Sequence, residues 1–96
     1  MDYLIEKHSR FAPAPKIAFR SVGGQVAIVK PYEGRFITLN ETGSLVWNNL
    51  EKGDAEFLVS SVVREFNVSF DTAFIDVKTF LHKLLMNEMI LPLTDP

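Results

Sequence analysis

Hydrophobic and polar positions along the chain follow two periods, one after the other. Lys16-Ile-Ala-Phe-Arg-Ser-Val22 and Gln25-Val-Ala-Ile-Val-Lys30 are short runs rich in β-branched and aromatic residues. The Gly23-Gly24 pair between them supplies the positive φ that a two-residue hairpin requires. Pro31-Tyr-Glu-Gly34 reads as a second turn, with Pro fixing φ at its first corner and Gly closing it, and Arg35-Phe-Ile-Thr-Leu39 alternates again. These runs predict a three-stranded antiparallel meander.

Beyond Leu39 the period becomes helical. Asn40 is a suitable N-cap, Val46, Trp47 and Leu50 follow at helical spacing, and Lys52-Gly53 predicts a left-handed C-terminal cap. Asp54 starts a second helix in which Leu58, Val59, Val62, Val63 and Phe66 form one stripe over Ala55–Phe66, closed by Asn67. Ser69 caps a third, where Phe70, Ala73, Phe74, Val77, Phe80, Leu81, Leu84 and Leu85 make a broad apolar face. The tail Met89-Ile-Leu-Pro-Leu93 predicts at most a short extended piece, because Pro92 interrupts it.

The predicted order is β-β-β-α-α-α, an α+β, winged-helix-like domain with a three-stranded antiparallel sheet packed on three helices. The expected core draws Ile17, Phe19, Val26, Ile28, Ile37 and Leu39 from the sheet. From the helices it draws Trp47, Leu50, Val62, Phe66, Phe74, Val77, Leu81 and Leu84. Phe11-Ala-Pro-Ala-Pro15 disfavours helix, so residues 1–15 are expected as an extended N-terminal arm and 16–93 as the single domain.

Composition narrows the function classes. A chain of 96 residues builds one core and leaves little for a walled active site, which argues against an enzyme. With no cysteine there is no thiolate metal site, disulfide or Cys nucleophile, and the chain suits a reducing cytoplasm. Net charge is −2, from six Lys/Arg against four Asp/Glu in residues 1–48 and four against eight in 49–96. Neither half offers the cation cluster that displaces phosphate counterions, so no nucleic-acid partner is expected. The N-terminal segment has no signal-peptide pattern and no run is apolar enough for a membrane span, so no membrane partner is expected either.

Candidate chemistry is thin. His8 and His82 lie nearly a chain apart and lack a second ligand at metal spacing. Asp71 and Asp76 fall on different faces of their helix, while Glu51, Asp54 and Glu56 gather at a helix start, where acids suit the dipole. No phosphate-binding glycine loop occurs. We therefore expect no catalytic residue, no metal and no cofactor.

Binding features are more informative. The first and third strands of a meander are edges, each presenting unpaired N–H and C=O groups. Lys16 and Arg20 blunt the first strand, whereas the third, Arg35, Phe36, Ile37 and Thr38, has one charge and no proline, so it can template an added strand. On the third helix Phe74, Lys78, Leu81 and Leu85 form one margin of the apolar stripe, which either walls a peptide slot beside that edge or is buried under the sheet. Open edges can equally pair with one another in a homodimer.

The span from Gly24 to Ile90 resembles the PqqD-like family, the RiPP recognition element of ribosomally made, modified peptides. The resemblance rests on Gly34-Arg-Phe-Ile-Thr-Leu-Asn40, Gly43-Ser-Leu-Val-Trp47, Leu50-Glu-Lys-Gly53 and Phe66-Asn-Val68. It continues with Asp76-Val-Lys-Thr-Phe-Leu-His-Lys-Leu84 and Met89-Ile-Leu91. Met89 stands where the family usually has a glycine, and residues 1–15 lie outside the pattern.

The resemblance implies a non-catalytic chaperone that holds the leader of a precursor peptide as an extra strand and presents it to a modifying enzyme such as a radical SAM protein or a leader peptidase. In that picture Arg35–Thr38 supply the edge, Phe74, Lys78, Leu81 and Leu85 the wall, and Lys78 and Arg35 meet acidic leader residues. A proline at Ile37 is expected to abolish peptide binding. The alternatives are a winged-helix DNA-binding protein, disfavoured because Asp71–Met86 carries two aspartates and only Lys78, His82 and Lys83 as basic groups, and a self-assembling adaptor.

Overall fold

A computed structural model of the chain describes residues 4–30 and 33–93. Its elements are β1 (Arg10–Pro13), β2 (Ala18–Val22), β3 (Gln25–Lys30), β4 (Arg35–Thr38), α1 (Glu41–Asn49), α2 (Ala55–Phe66), α3 (Phe70–Met86) and β5 (Ile90–Leu93). The α+β meander-plus-three-helix architecture is the one expected, with β2-β3-β4 as the antiparallel sheet. The predicted second turn includes Pro31 and Tyr32, which lie outside the described residues.

Turn and cap chemistry behaves largely as the residue types dictate. Gly23 and Gly24 take φ of +58° and +84°, so Val22 faces Gln25 across a two-residue hairpin. The side chains of Asn40, Asp54 and Ser69 accept backbone amides of Gly43, Phe57 and Thr72, each satisfying one orphan donor of a helix start. Asn67 ends α2 in the left-handed conformation at φ +53°. Gly53 departs from expectation. α1 ends at Leu50 in right-handed geometry, and Gly53 has no positive φ; a Cβ there would lie 2.6 Å from the Phe57 ring, so the glycine allows close packing.

A second sheet, of two strands, was not expected. β1 pairs antiparallel with β5, Arg10 opposite Leu93 and Pro13 opposite Ile90. Both strands are edges, which is why Pro13 and Pro92 are tolerated in them. Order also begins earlier than Lys16: Ile5 and Phe11 are buried in the core, and the Ser9 and Lys7 carbonyls accept the α2 amides of Ala55 and Glu56 at 2.8 Å. These two bonds satisfy N-terminal helix donors that would otherwise need water.

The core lies between the β2-β3-β4 sheet and the helices. Val26, Ile28 and Leu39 meet Val46, Trp47 and Leu50 of α1, Leu58, Val59 and Val62 of α2, and Val77, Leu81 and Leu84 of α3. Ile17, Ile37, Phe66 and Phe74, expected as core, are only partly buried against it. Phe19 is a clearer correction: it is 52% exposed, and its ring meets the edge-on Trp47 ring at 5.2 Å. β2 is exposed along its whole length, so a core-facing position on it stays half in water.

Candidate peptide-binding edge

β4 is paired on one side only. Its register on β3 sets Ile37 opposite Ile28 and Arg35 opposite Lys30, and the Leu39 amide donates to the Val26 carbonyl at 2.7 Å. Hydrogen-bonded positions alternate in an antiparallel pair, so Arg35 and Ile37 spend their backbone groups on β3, as Leu39 does its amide. The N–H and C=O groups of Phe36 and Thr38 point the other way, where no strand pairs with β4 among the described residues. The hairpin enforces the same alternation: Val22 and Gln25 are a hydrogen-bonded pair, so Ala27 and Val29 serve β2 while Val26 and Ile28 serve β4.

Side chains follow the opposite logic. Ile37 and Leu39 share the face of Ile28 and Val26, toward the core, while Phe36 and Thr38 share the face of Val29 and Ala27, away from it. Phe36 is 69% exposed, with its ring on the outer face of the sheet. Its backbone serves the edge; its side chain does not line a groove against the helices.

Beside this edge runs a groove of about 220 Å³. Ile37, Thr38, Leu39 and Asn40 form its strand side; Phe80, Lys83, Leu84 and Asn87 form its helix side, with Met89 at the floor. The upper end is tight because α1 begins there: a Cβ on Gly43 would stand 3.2 Å from the Phe80 ring. Asn40, which caps α1, thereby ends the open strand and abuts the groove.

The expected helical wall lies elsewhere. Leu81 is fully buried, and Leu85 borders a different hollow. Phe74 stacks on Phe70 at 6.1 Å, with Lys78 over Phe74 at 5.9 Å and Lys7 over Phe70 at 5.8 Å. This ladder brings Lys7 of the N-terminal segment against α3. At 100° per residue, its flank is roughly 140° around the helix from the one bearing Phe80, Lys83 and Leu84. Phe70, Phe74, Phe80, Leu81, Leu84 and Leu85 all belong to the one broad apolar stripe read from the sequence, which does not say which margin meets β4.

Charge is concentrated at the lower end of the edge. Glu33 bonds Lys30 at 2.8 Å and meets Arg35 at 3.4 Å, while Lys30 also donates to the Asn87 carbonyl at 2.7 Å. The hydrogen bond and charge of Lys30, aided by Arg35, hold the Glu33 carboxyl below its ordinary value. Among the described residues no group of three His, Cys, Asp or Glu is placed to hold a metal, and no helix is long and apolar enough to cross a membrane.

Comparison with known proteins identifies the family and the fold. The family model described as Coenzyme PQQ synthesis protein D (PqqD) matches residues 25–90. Two solved structures share the fold. TbiB1 in complex with the TbiA(beta) leader peptide has a TM-score of 0.78 at 23% identity, covering 86% of this chain and 98% of that one. Lasso peptide synthetase B1 complexed with the leader peptide has a TM-score of 0.79 at 21% identity, covering 86% and 99%. No curated protein sequence matches significantly.

Proposed function

Because the chain belongs to the PqqD family, we propose that it binds the leader segment of a ribosomally made precursor peptide as a strand added to β4 and presents that peptide to a separate modifying enzyme. The observation that carries this reading is the unpaired outer side of β4 running beside an apolar groove on α3. Phe36 and Thr38 each offer one N–H and one C=O, so an added strand gains four backbone hydrogen bonds, each worth about 0.5–1.5 kcal/mol net.

Two side chains of such a strand would face the groove between Ile37 and Phe80, contributing about 1.5–3 kcal/mol each when buried. Ordering of a flexible leader offsets several kcal/mol of that sum and leaves micromolar to nanomolar affinity. Main-chain pairing supplies affinity; Phe80, Lys83 and Leu84 supply selectivity. On this reading the chain performs no reaction itself, and its enzyme partner is a radical SAM protein or a leader peptidase.

The test is a titration of the leader encoded beside the gene into isotopically labelled protein. Shifts concentrated at Phe36, Thr38 and Phe80–Leu84 support the reading. Shifts absent there, with the peptide present at millimolar concentration, overturn it.

A further inference from the structure

A second and larger hollow, of about 560 Å³, lies below the sheet between the C-terminal end of α3, β5 and the segment 14–17 that follows β1. Its walls are apolar: Ile17, Leu85, Ile90, Leu91 and Pro92. Its rim carries charges of both signs, Lys16 and Lys30 with Glu33 and Glu88, so it selects neither an anion nor a cation. The volume falls within the range of small-ligand clefts and is ample for one or two large side chains.

This hollow adjoins the β4 groove. The two meet at the Lys30–Asn87 bridge: Asn87 borders the groove, Lys30 borders the hollow, and the bond between them is 2.7 Å. Glu33, which borders the hollow, also holds Arg35 at the first position of the edge strand. An added strand lies two interstrand spacings, about 10 Å, from β3, and three or four extended residues cover that distance. The flank of a β4-bound peptide that leaves beside Arg35 therefore reaches the hollow within a few residues.

Resting on the peptide-binding reading above, we infer that this hollow is a second anchor site that takes a large apolar side chain from the flank of the precursor peptide just beyond its β4-paired segment. The site is built by β5, the end of α3 and the segment 14–17 that leads from β1 into β2. Recognition is thereby divided into a strand-pairing register along β4 and a side-chain anchor at a fixed spacing from it. A peptide with the right strand segment but no apolar residue at that spacing binds in the groove alone.

The experiment uses the whole chain with ¹³C-methyl-labelled Ile and Leu and ¹⁵N amides. The probes are the synthetic leader encoded beside the gene and two versions trimmed at either flank. With the full leader, the Phe36 and Thr38 amides move together with the methyls of Ile17, Leu85, Ile90 and Leu91. Trimming the flank beside Arg35 silences those methyls and weakens binding about tenfold, while the edge amides still respond.

Leu91→Arg, at a half-exposed wall position, gives the same loss for the full leader and none for the trimmed one. Edge amides that respond while the hollow methyls stay still, with equal affinity for full and trimmed leaders, overturn the anchor and leave the peptide-binding reading standing. Methyl shifts from a peptide that lacks the strand segment make the hollow an independent site and likewise overturn it. Silent edge amides throughout remove the reading on which the anchor rests.

Discussion

The Ser44 hydroxyl stands between Val26 and Leu39 where β4 leaves the sheet, accepting the Val26 amide at 2.9 Å and donating to the Leu39 carbonyl at 3.3 Å. Leu39 still donates to the Val26 carbonyl, so the hydroxyl replaces the second bond of that pair. Ser44 is 3% exposed, and water cannot take its place without a cavity. Ser44→Ala leaves a buried donor and acceptor unpaired and is expected to cost about 1–3 kcal/mol. Chemical denaturation reads the loss, and amide exchange at Val26 rises more than at Ile28.

The alternation of backbone groups on β4 separates two proline substitutions that the sequence alone does not distinguish. The Ile37 amide serves the β3 ladder, so Ile37→Pro removes a sheet bond and destabilises the fold. A lost peptide affinity in that variant therefore says nothing of the edge. Thr38→Pro removes an outward N–H and leaves the β3 pairing intact, as edge strands tolerate. We expect Thr38→Pro to melt within a few degrees of wild type and to bind the leader at least tenfold more weakly. Equal affinity in a folded Thr38→Pro chain would falsify strand addition at β4.

Phe80 and Phe74 make a matched pair for locating the groove, since both are half-buried phenylalanines of α3. Phe80 borders the open edge, whereas Phe74 belongs to the Lys7-Phe70-Phe74-Lys78 ladder. Truncating Phe80 to alanine is expected to lower leader affinity about tenfold or more. Truncating Phe74 removes the ring that stacks on Phe70, with a stability loss of about 1–3 kcal/mol from lost burial and stacking, and leaves affinity unchanged. Calorimetric titration and thermal melting of the two variants give opposite patterns if the groove lies where Phe80 places it.

What the residues disclose in advance differs between the fold and the site. The β2-β3-β4 meander and the helices announce themselves because each turn or cap has its own chemistry: Gly23-Gly24, Asn40, Asp54, Asn67 and Ser69. The β1–β5 ribbon has no such signal. Arg10–Pro13 and Ile90–Leu93 are four residues each, both contain proline, and they meet from opposite ends of the chain. The open edge is readable from strand order alone. The outward position of Thr38 is not, because it follows only from the β3–β4 register that sets Lys30 opposite Arg35 and Ile28 opposite Ile37. The groove flank of α3 is not readable, because the apolar stripe is wide enough to face both core and groove.

Acid titration tests the charge cluster below the edge. Glu33 is held below its ordinary value of 4.5 first by its hydrogen bond to Lys30, then by the Lys30 charge and, more weakly, by Arg35. A carboxyl depressed in the folded state contributes stability above its ordinary range, and that contribution is lost as pH falls through the folded-state titration. Carboxyl ¹³C shifts should place the Glu33 midpoint below 4.5. Lys30→Met should move it up toward that value, and Arg35→Met should move it less. An unmoved midpoint in Lys30→Met would mean that the ion pair does not set it.

Phe11 tests whether the N-terminal segment is an arm or a part of the core. Its ring is 1% exposed, its strand pairs with β5, and the carbonyls of nearby Lys7 and Ser9 bond the start of α2. Phe11→Ala opens a cavity at the junction of ribbon and helices and is expected to cost about 3–5 kcal/mol. That is a large part of the stability of a small domain. A chain beginning at Lys16 loses Ile5, Phe11 and both α2 bonds together, and leaves β5 without its partner strand. It should show no cooperative thermal transition, whereas a dispensable arm would leave the melting curve of residues 16–93 close to that of the whole chain.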